Sequence, residues 1–355
     1  VFSHSPDQSA TAPGARSVPH PHARRPSWRI GWLILTFAAL VVLAALSIAI
    51  GAKSIPLGHI LPALIDPSSV DDSAIISGLR VPRTVLGLLA GAALGVAGGV
   101  IQAFTRNPLA DPGILGVNAG AALAVTVGVA YLGMREIGQY LWLALAGAII
   151  ATLVVWMIGA SAREGATALR MTLAGVGVAA VLGGLSSAIQ LGHPSTFQKM
   201  MGWGSGSLLT QPLSAAAIVA PVLLAGIIVA IIATRGLNAL ALGDDLATSL
   251  GNRATLTRTL AILAVTLLAG TATALVGPIA FVGLMIPHVA RSIVGPSQGW
   301  ILAYSLVLGP CLLLAADVAG RLIMQPAELP VGLVTAFVGA PVLILLVRRS
   351  RVAGL

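Results

Sequence analysis

Apolar residues in this chain come in long unbroken runs, separated by short stretches of glycine, proline and charge. The runs lack the two-residue alternation of a half-buried strand and the narrow stripe of a surface helix. About 20 apolar residues, rising 1.5 Å each as a helix, cross roughly 30 Å of hydrocarbon. The pattern predicts helices at about 30–50, 84–104, 114–133, 139–160, 169–191, 213–234, 256–276, 279–294, 299–323 and 331–348. The segment 279–294 is short and contains Pro287. Residues 1–27 have no such pattern; they are rich in Ser, Pro, His, Ala and Arg, which predicts a disordered cytoplasmic tail ahead of a transmembrane domain at 28–355.

Composition supports the membrane reading. The 355 residues are 57% hydrophobic and 9% charged, with a mean hydropathy of +0.97. Soluble domains carry roughly 25% charged residues. The net charge of +9 does not point to nucleic acid, because the basic residues flank apolar runs and form no stripe with aromatics. Their distribution orients the chain. With the N-terminus inside, six of the 20 basic residues (Lys53, Arg80, Arg83, Arg135, Lys199 and Arg321) fall outside and 14 inside. That bias predicts N-in and C-in, which an even number of spans satisfies.

Two features concern the helix faces. Leu88–Ala93 resembles Leu267–Ala272, five predicted helices further on, as an inverted repeat would require. Glycines recur near helical spacing at Gly87, Gly91, Gly95, Gly98 and Gly99, and again at Gly175, Gly177, Gly183 and Gly184. Small residues let helix backbones approach closely in lipid. Tight packing is the simpler reading of both sets; the alternative is a pathway lining.

Catalytic chemistry is missing. Neither lysine, Lys53 nor Lys199, follows glycine, so no phosphate-binding P-loop exists and the chain is not predicted to be an enzyme. No carboxylate pair, nucleophile elbow or Cys/His cluster suggests a catalytic, cofactor or metal site. The single cysteine, Cys311, cannot form an intrachain disulfide and reads as a packing residue. Asp317 is the one clear carboxylate inside a span. Arg321 follows it at i+4, so the two neutralise each other, and a proton relay is the lesser reading.

Two polar regions remain. The first is the inside loop Leu242, Gly243, Asp244, Asp245, Leu246, Ala247, Thr248, Ser249, Leu250 and Gly251. Two aspartates suit the positive end of a short helix and Gly251 suits its stop. That helix is either a connector or a docking element. The second is the outside trio Arg80, Arg83 and Arg321. These are either snorkelling side chains or a basic rim for acidic groups of a partner or an anionic ligand.

Several segments match a known family in order. They are Leu79–Arg83, Asn107–Gly116, Gly243–Gly251, Gly277–His288, Ala316–Asp317 with Arg321, Glu328–Gly332 and Gly339–Pro341. Together they closely resemble the FecCD permease family, from about residue 28 to the end. The resemblance implies a type II ABC importer permease fold of ten helices in the bacterial inner membrane. It implies a second permease copy, either identical or a close paralogue, and two cytoplasmic ABC ATPase subunits docked on Gly243–Gly251. It also implies a periplasmic or lipid-anchored substrate-binding protein whose carboxylates meet Arg80, Arg83 and Arg321. The expected cargo is a ferric siderophore-type chelate, with cobalamin or haem as alternatives. An ion-coupled secondary transporter and a membrane scaffold are the rival classes; the scarcity of intramembrane carboxylates argues against the former.

Overall fold

A computed structural model describes residues 26–51, 73–160, 168–209, 211–324 and 327–352, with Ile55, Gly58 and Pro62. The tail expected over 1–27 thus lies outside the described residues, except for Pro26 and Ser27, which already belong to the first helix. The described residues include twelve helices: α1 Pro26–Ala49, α2 Val81–Thr105, α3 Val117–Tyr131, α4 Ile137–Ala160, α5 Ala168–Gly192, α6 Pro194–Gly204, α7 Leu213–Leu240, α8 Asp244–Ser249, α9 Ala254–Val276, α10 Val282–Val294, α11 Gln298–Ile323 and α12 Val331–Val352. A helical turn at Ser73–Ile75 and a π-helical turn at Ile76–Arg80 run directly into α2. A 3-10 turn, Pro112–Leu115, precedes α3. No strand occurs among the described residues.

Among the described residues, seven helices are long and apolar enough to cross a membrane: α1, α2 with its leading turns, α4, α5, α7, α9 and α11. Shorter apolar segments, Val117–Tyr131, Val282–Val294 and Val331–Leu345, stand where the other three spans were expected. Two departures from the sequence pattern have physical causes. α7 continues to Leu240, well past 234, because Arg235 and Asn238 are exposed polar residues at its end and do not interrupt helical hydrogen bonding. α6 was not anticipated. Pro194 at its start and Gly202 and Gly204 near its end read as loop, yet Thr196, Met200 and Trp203 bury one face of it.

α2 and α9 are the two most buried spans, and they pack against each other. They carry the two segments whose sequences resemble one another. α11 and α10 close on α2 through its glycines. A side-chain carbon at Gly91 would lie 2.6 Å from Pro310 Cα, and one at Gly98 would lie 1.9 Å from the Gly283 carbonyl oxygen. These glycines permit backbone-to-backbone contact, as the packing reading anticipated. The α5 set differs. Gly175 meets the Ile114 carbonyl of the 3-10 turn, but Gly177, Gly183 and Gly184 face open space.

Backbone bonds also join segments that are remote in sequence. Ser207 N–H donates to the Val276 carbonyl at 2.9 Å, and Gly332 N–H donates to the Gly206 carbonyl at 3.0 Å. Gly277 sits beside this junction at φ +79°, where any side chain would strike the Trp203 carbonyl at 2.0 Å. The Gly277–Pro278 and Val331–Gly332 motifs therefore belong to one structure at the end of α6.

Candidate functional site

The outer trio of arginines forms a buried network. The π-helical turn and the first turn of α2 present Arg80 and Arg83, Pro82 between them starting the helix without needing a donor. Asp317 and Arg321 lie one turn apart on α11. Arg83 Nε donates to both Asp317 carboxylate oxygens at 2.9 Å, and Arg83 Nη2 donates to Oδ1 at 2.7 Å. Arg321 Nη2 donates to the other oxygen, Oδ2, at 2.8 Å. A second carboxylate, Glu328, accepts from Arg83 Nη1. Asp317 is 0% exposed, Arg321 1%, and Arg80 and Arg83 5% each. Buried charges at this depth persist only when paired and hydrogen-bonded, and here Asp317 neutralises one of its two arginines while Glu328 offsets the other.

The same network clamps the end of α1. Arg80 Nη1 donates to the Ile48 and Ala49 carbonyls at 2.8 and 2.7 Å. Arg321 Nη1 donates to the Ser47 carbonyl at 2.8 Å and to that of Ile50, and Nη2 donates to Ser47 Oγ at 2.9 Å. The last turn of a helix leaves carbonyls without partners and carries negative partial charge, so two guanidinium groups are well matched to it. Gly51 makes room: a side chain there would meet Arg80 Nη2 at 2.6 Å. A cavity of about 240 Å³ lies beside the network, lined among others by Gly51, Leu79, Leu209 and Glu328.

The inner region is built differently. α8 starts with Asp244 and Asp245 in its first turn, as their charge predicted, and stops at Gly251, where φ is +77°. Asp244 again sits between two arginines: Arg106 donates to Oδ1, and Arg258 Nη2 donates to Oδ2 at 3.0 Å. Here all three side chains are solvated, Asp244 being 52% exposed. Asn252 fastens the loop. Its Nδ2 donates to the Gly236 carbonyl of α7 at 3.3 Å, and its Oδ1 accepts from Thr257 Oγ1 of α9 at 2.9 Å. Ala247 is buried beneath α8, while Leu242, Leu246 and Leu250, at four-residue intervals, are exposed. The loop is a fixed platform with an uncovered apolar ridge.

The sequence model of the FecCD transport family matches residues 39–349. The chain belongs to the FecCD transport family. It is 48% identical to the ferric enterobactin transport system permease protein FepD of Escherichia coli over 316 residues, 89% of this chain and 94% of FepD. It is 37% identical to the iron(3+)-hydroxamate import system permease protein FhuB of Bacillus subtilis, over 94% of this chain and 89% of FhuB. A solved structure of a metal-chelate type ABC transporter in an inward-facing conformation superposes with a TM-score of 0.78. It is 25% identical and covers 90% of this chain and 99% of its own.

This FecCD chain is therefore a multi-pass permease of an importer family whose permease subunits are not themselves ATPases. Its structure brings Arg80, Arg83 and Arg321 together as the sequence suggested, but as a buried network and not an open or snorkelling rim. Residues 242–251 form the anticipated short helix and its flanks. Sequence reasoning missed Ser47, Glu328, Arg106 and Arg258 as partners. One signal was present in the sequence: Arg80 and Arg83 border a span beside no acid of their own, and buried ionisable groups in membranes require partners.

Proposed function

We propose that this chain forms part of the translocation path of an ABC importer in a bacterial cytoplasmic membrane and carries a ferric siderophore-type chelate inward. The 48% identity to the ferric enterobactin permease across 89% of the chain carries this reading. The absence of any glycine-lysine pair supports leaving ATP hydrolysis to separate subunits. One such subunit docks on residues 242–251 of each permease chain, where the exposed Leu242, Leu246 and Leu250 ridge fits an apolar groove on a partner and Asn252 transmits the push to α7 and α9. Charge bias supports the N-in orientation that puts this ridge in the cytoplasm.

A periplasmic or lipid-anchored binding protein docks at Arg80, Arg83 and Arg321. Because Asp317 and the α1 carbonyls already hold these arginines, a partner carboxylate acts at the outer edge, competing with Glu328 for Arg83. A second permease chain, identical or paralogous, packs on α5. Gly177, Gly183 and Gly184 suit close approach of another helix, whereas lipid contact needs no glycine. ATP binding in the motor then favours one of two helix arrangements over the other by differential affinity.

The test is uptake of a labelled ferric siderophore into proteoliposomes containing both permeases, the ATPase and the binding protein. Uptake is expected to require ATP and to persist when an uncoupler removes the proton gradient. Collapse with the gradient while ATP remains would make the chain an ion-coupled transporter. Uptake of cobalamin or haem in preference to ferric siderophore would overturn the cargo.

A further inference from the structure

A groove of about 410 Å³ lies among α2, α7 and α11 and is not used by either docking region. α7 and α11 both pack on α2 and meet each other beside Thr234 and Gly299, with Val96 of α2 as the floor of the groove. Its walls are Ile227 and Ile231 of α7 and Leu302, Ala303 and Leu306 of α11. From Gly299 to Leu306 it runs about 10 Å along α11, most of the roughly 15 Å of hydrocarbon in one leaflet.

One end of this groove is polar. Arg235 and Thr234 stand at its mouth opposite Gly299, where a side-chain carbon would lie 3.6 Å from Thr234 Cγ2. Thr234 Oγ1 donates to the Ala230 carbonyl at 3.0 Å. Arg235 is exposed and makes no hydrogen bond or ion pair with any described residue. The mouth is level with the interface. Trp300 adjoins Gly299 and lies under the Arg29 guanidinium at 5.9 Å, and Trp28 and Trp32 pack edge to face nearby along α1. Tryptophans and arginines together mark the headgroup zone.

We propose that this groove holds one anionic glycerophospholipid of the cytoplasmic leaflet. Its phosphate sits on Arg235 and one acyl chain lies along Ile231, Ile227 and Leu306. The occupant needs an apolar body, because the walls are apolar at hydrocarbon depth, and an anionic end, because among the described residues the one ionisable group lining the groove is the Arg235 guanidinium, which pairs with no other described residue. A soluble anion uses none of the wall. A zwitterionic lipid fills the wall but brings an ammonium group beside Arg235. The assignment to the cytoplasmic leaflet rests on the N-in orientation argued above, but the binding itself does not depend on transport.

The test uses the full chain, delipidated in non-ionic detergent, with retained lipid read by native mass spectrometry. Phosphatidylglycerol is expected to bind about five-fold more tightly than phosphatidylethanolamine with the same acyl chains, the gain of one arginine at a lipid surface. Arg235→Ala should remove the preference and Arg235→Lys should keep most of it. Ala303→Phe, which fills the groove, should lower retention of both lipids. Equal retention of the two lipids by the parent overturns the proposal, as does a preference that survives in folded Arg235→Ala. Displacement of phosphatidylglycerol by millimolar inorganic phosphate also overturns it, since the acyl groove would then contribute nothing. Each result is obtained without ATPase or substrate, so it stands apart from the outcome of the uptake experiment.

Discussion

Each end of this protein places one aspartate between two arginines, and the two arrangements have opposite physical characters. Asp317 lies between Arg83 and Arg321 with no exposure to solvent; Asp244 lies between Arg106 and Arg258 in water. In the first, each charge has lost its hydration, and the network holds because nearly every donor finds an oxygen on Asp317, Glu328 or the end of α1. In the second, water supplies most of what the partners supply, and the pairs orient a loop more than they hold it. The same set of one aspartate and two arginines thus makes a structural clamp outside and a surface detail inside. What separates them is burial, not spacing.

The comparison is most exposed to Asp317→Ala. This change leaves two guanidinium groups facing each other in a dry site and should destabilise the fold by about 3–5 kcal/mol, read as a large drop in thermal unfolding temperature in detergent. A loss below about 1 kcal/mol would mean that water reaches the network. The double change Asp317→Leu with Arg321→Met should cost clearly less than Asp317→Ala alone, because Arg83 keeps Glu328 and no unpaired charge remains on α11. Additive losses would deny the coupling. Gly51→Ala pushes against the Arg80 guanidinium and should cost about 1–3 kcal/mol, with the α1 end becoming more accessible to protease. At the inner end, Asp244→Ala should change stability by less than about 1 kcal/mol, and any effect should shrink as salt is raised. Its larger effect should fall on ATP-driven uptake, since the variant disturbs the platform and not the fold.

The sequence made much of this legible, but unevenly. Hydrophobic runs locate spans because a bilayer imposes a length on them, and the helices at 139–160, 169–191 and 256–276 end within two residues of the expected limits. Asp244 and Asp245 announce a helix start because the helix dipole acts over one turn. Asp317 and Arg321 announce a pair because i and i+4 share a face. Arg83 carries no such local mark: its partner is 234 residues away, and only packing brings them together. α6 was hidden because its buried face is only Thr196, Met200 and Trp203, too little to stand out between a proline and two glycines. The glycines show the same limit. Gly91 and Gly98 resemble Gly177 and Gly184 in sequence, yet the first pair is packed against backbone and the second is uncovered.

The contact between Gly98 and Gly283 has a consequence for motion. Sliding surfaces in a protein are lubricated by side chains, which change rotamer as one helix travels past another. Where α2 meets α10 the backbones touch with no side chain at Gly98 to act as that lubricant, and Gly91 seats α11 on α2 in the same way. These three helices therefore travel together as a single plank, and any alternation of access has to hinge at its edges.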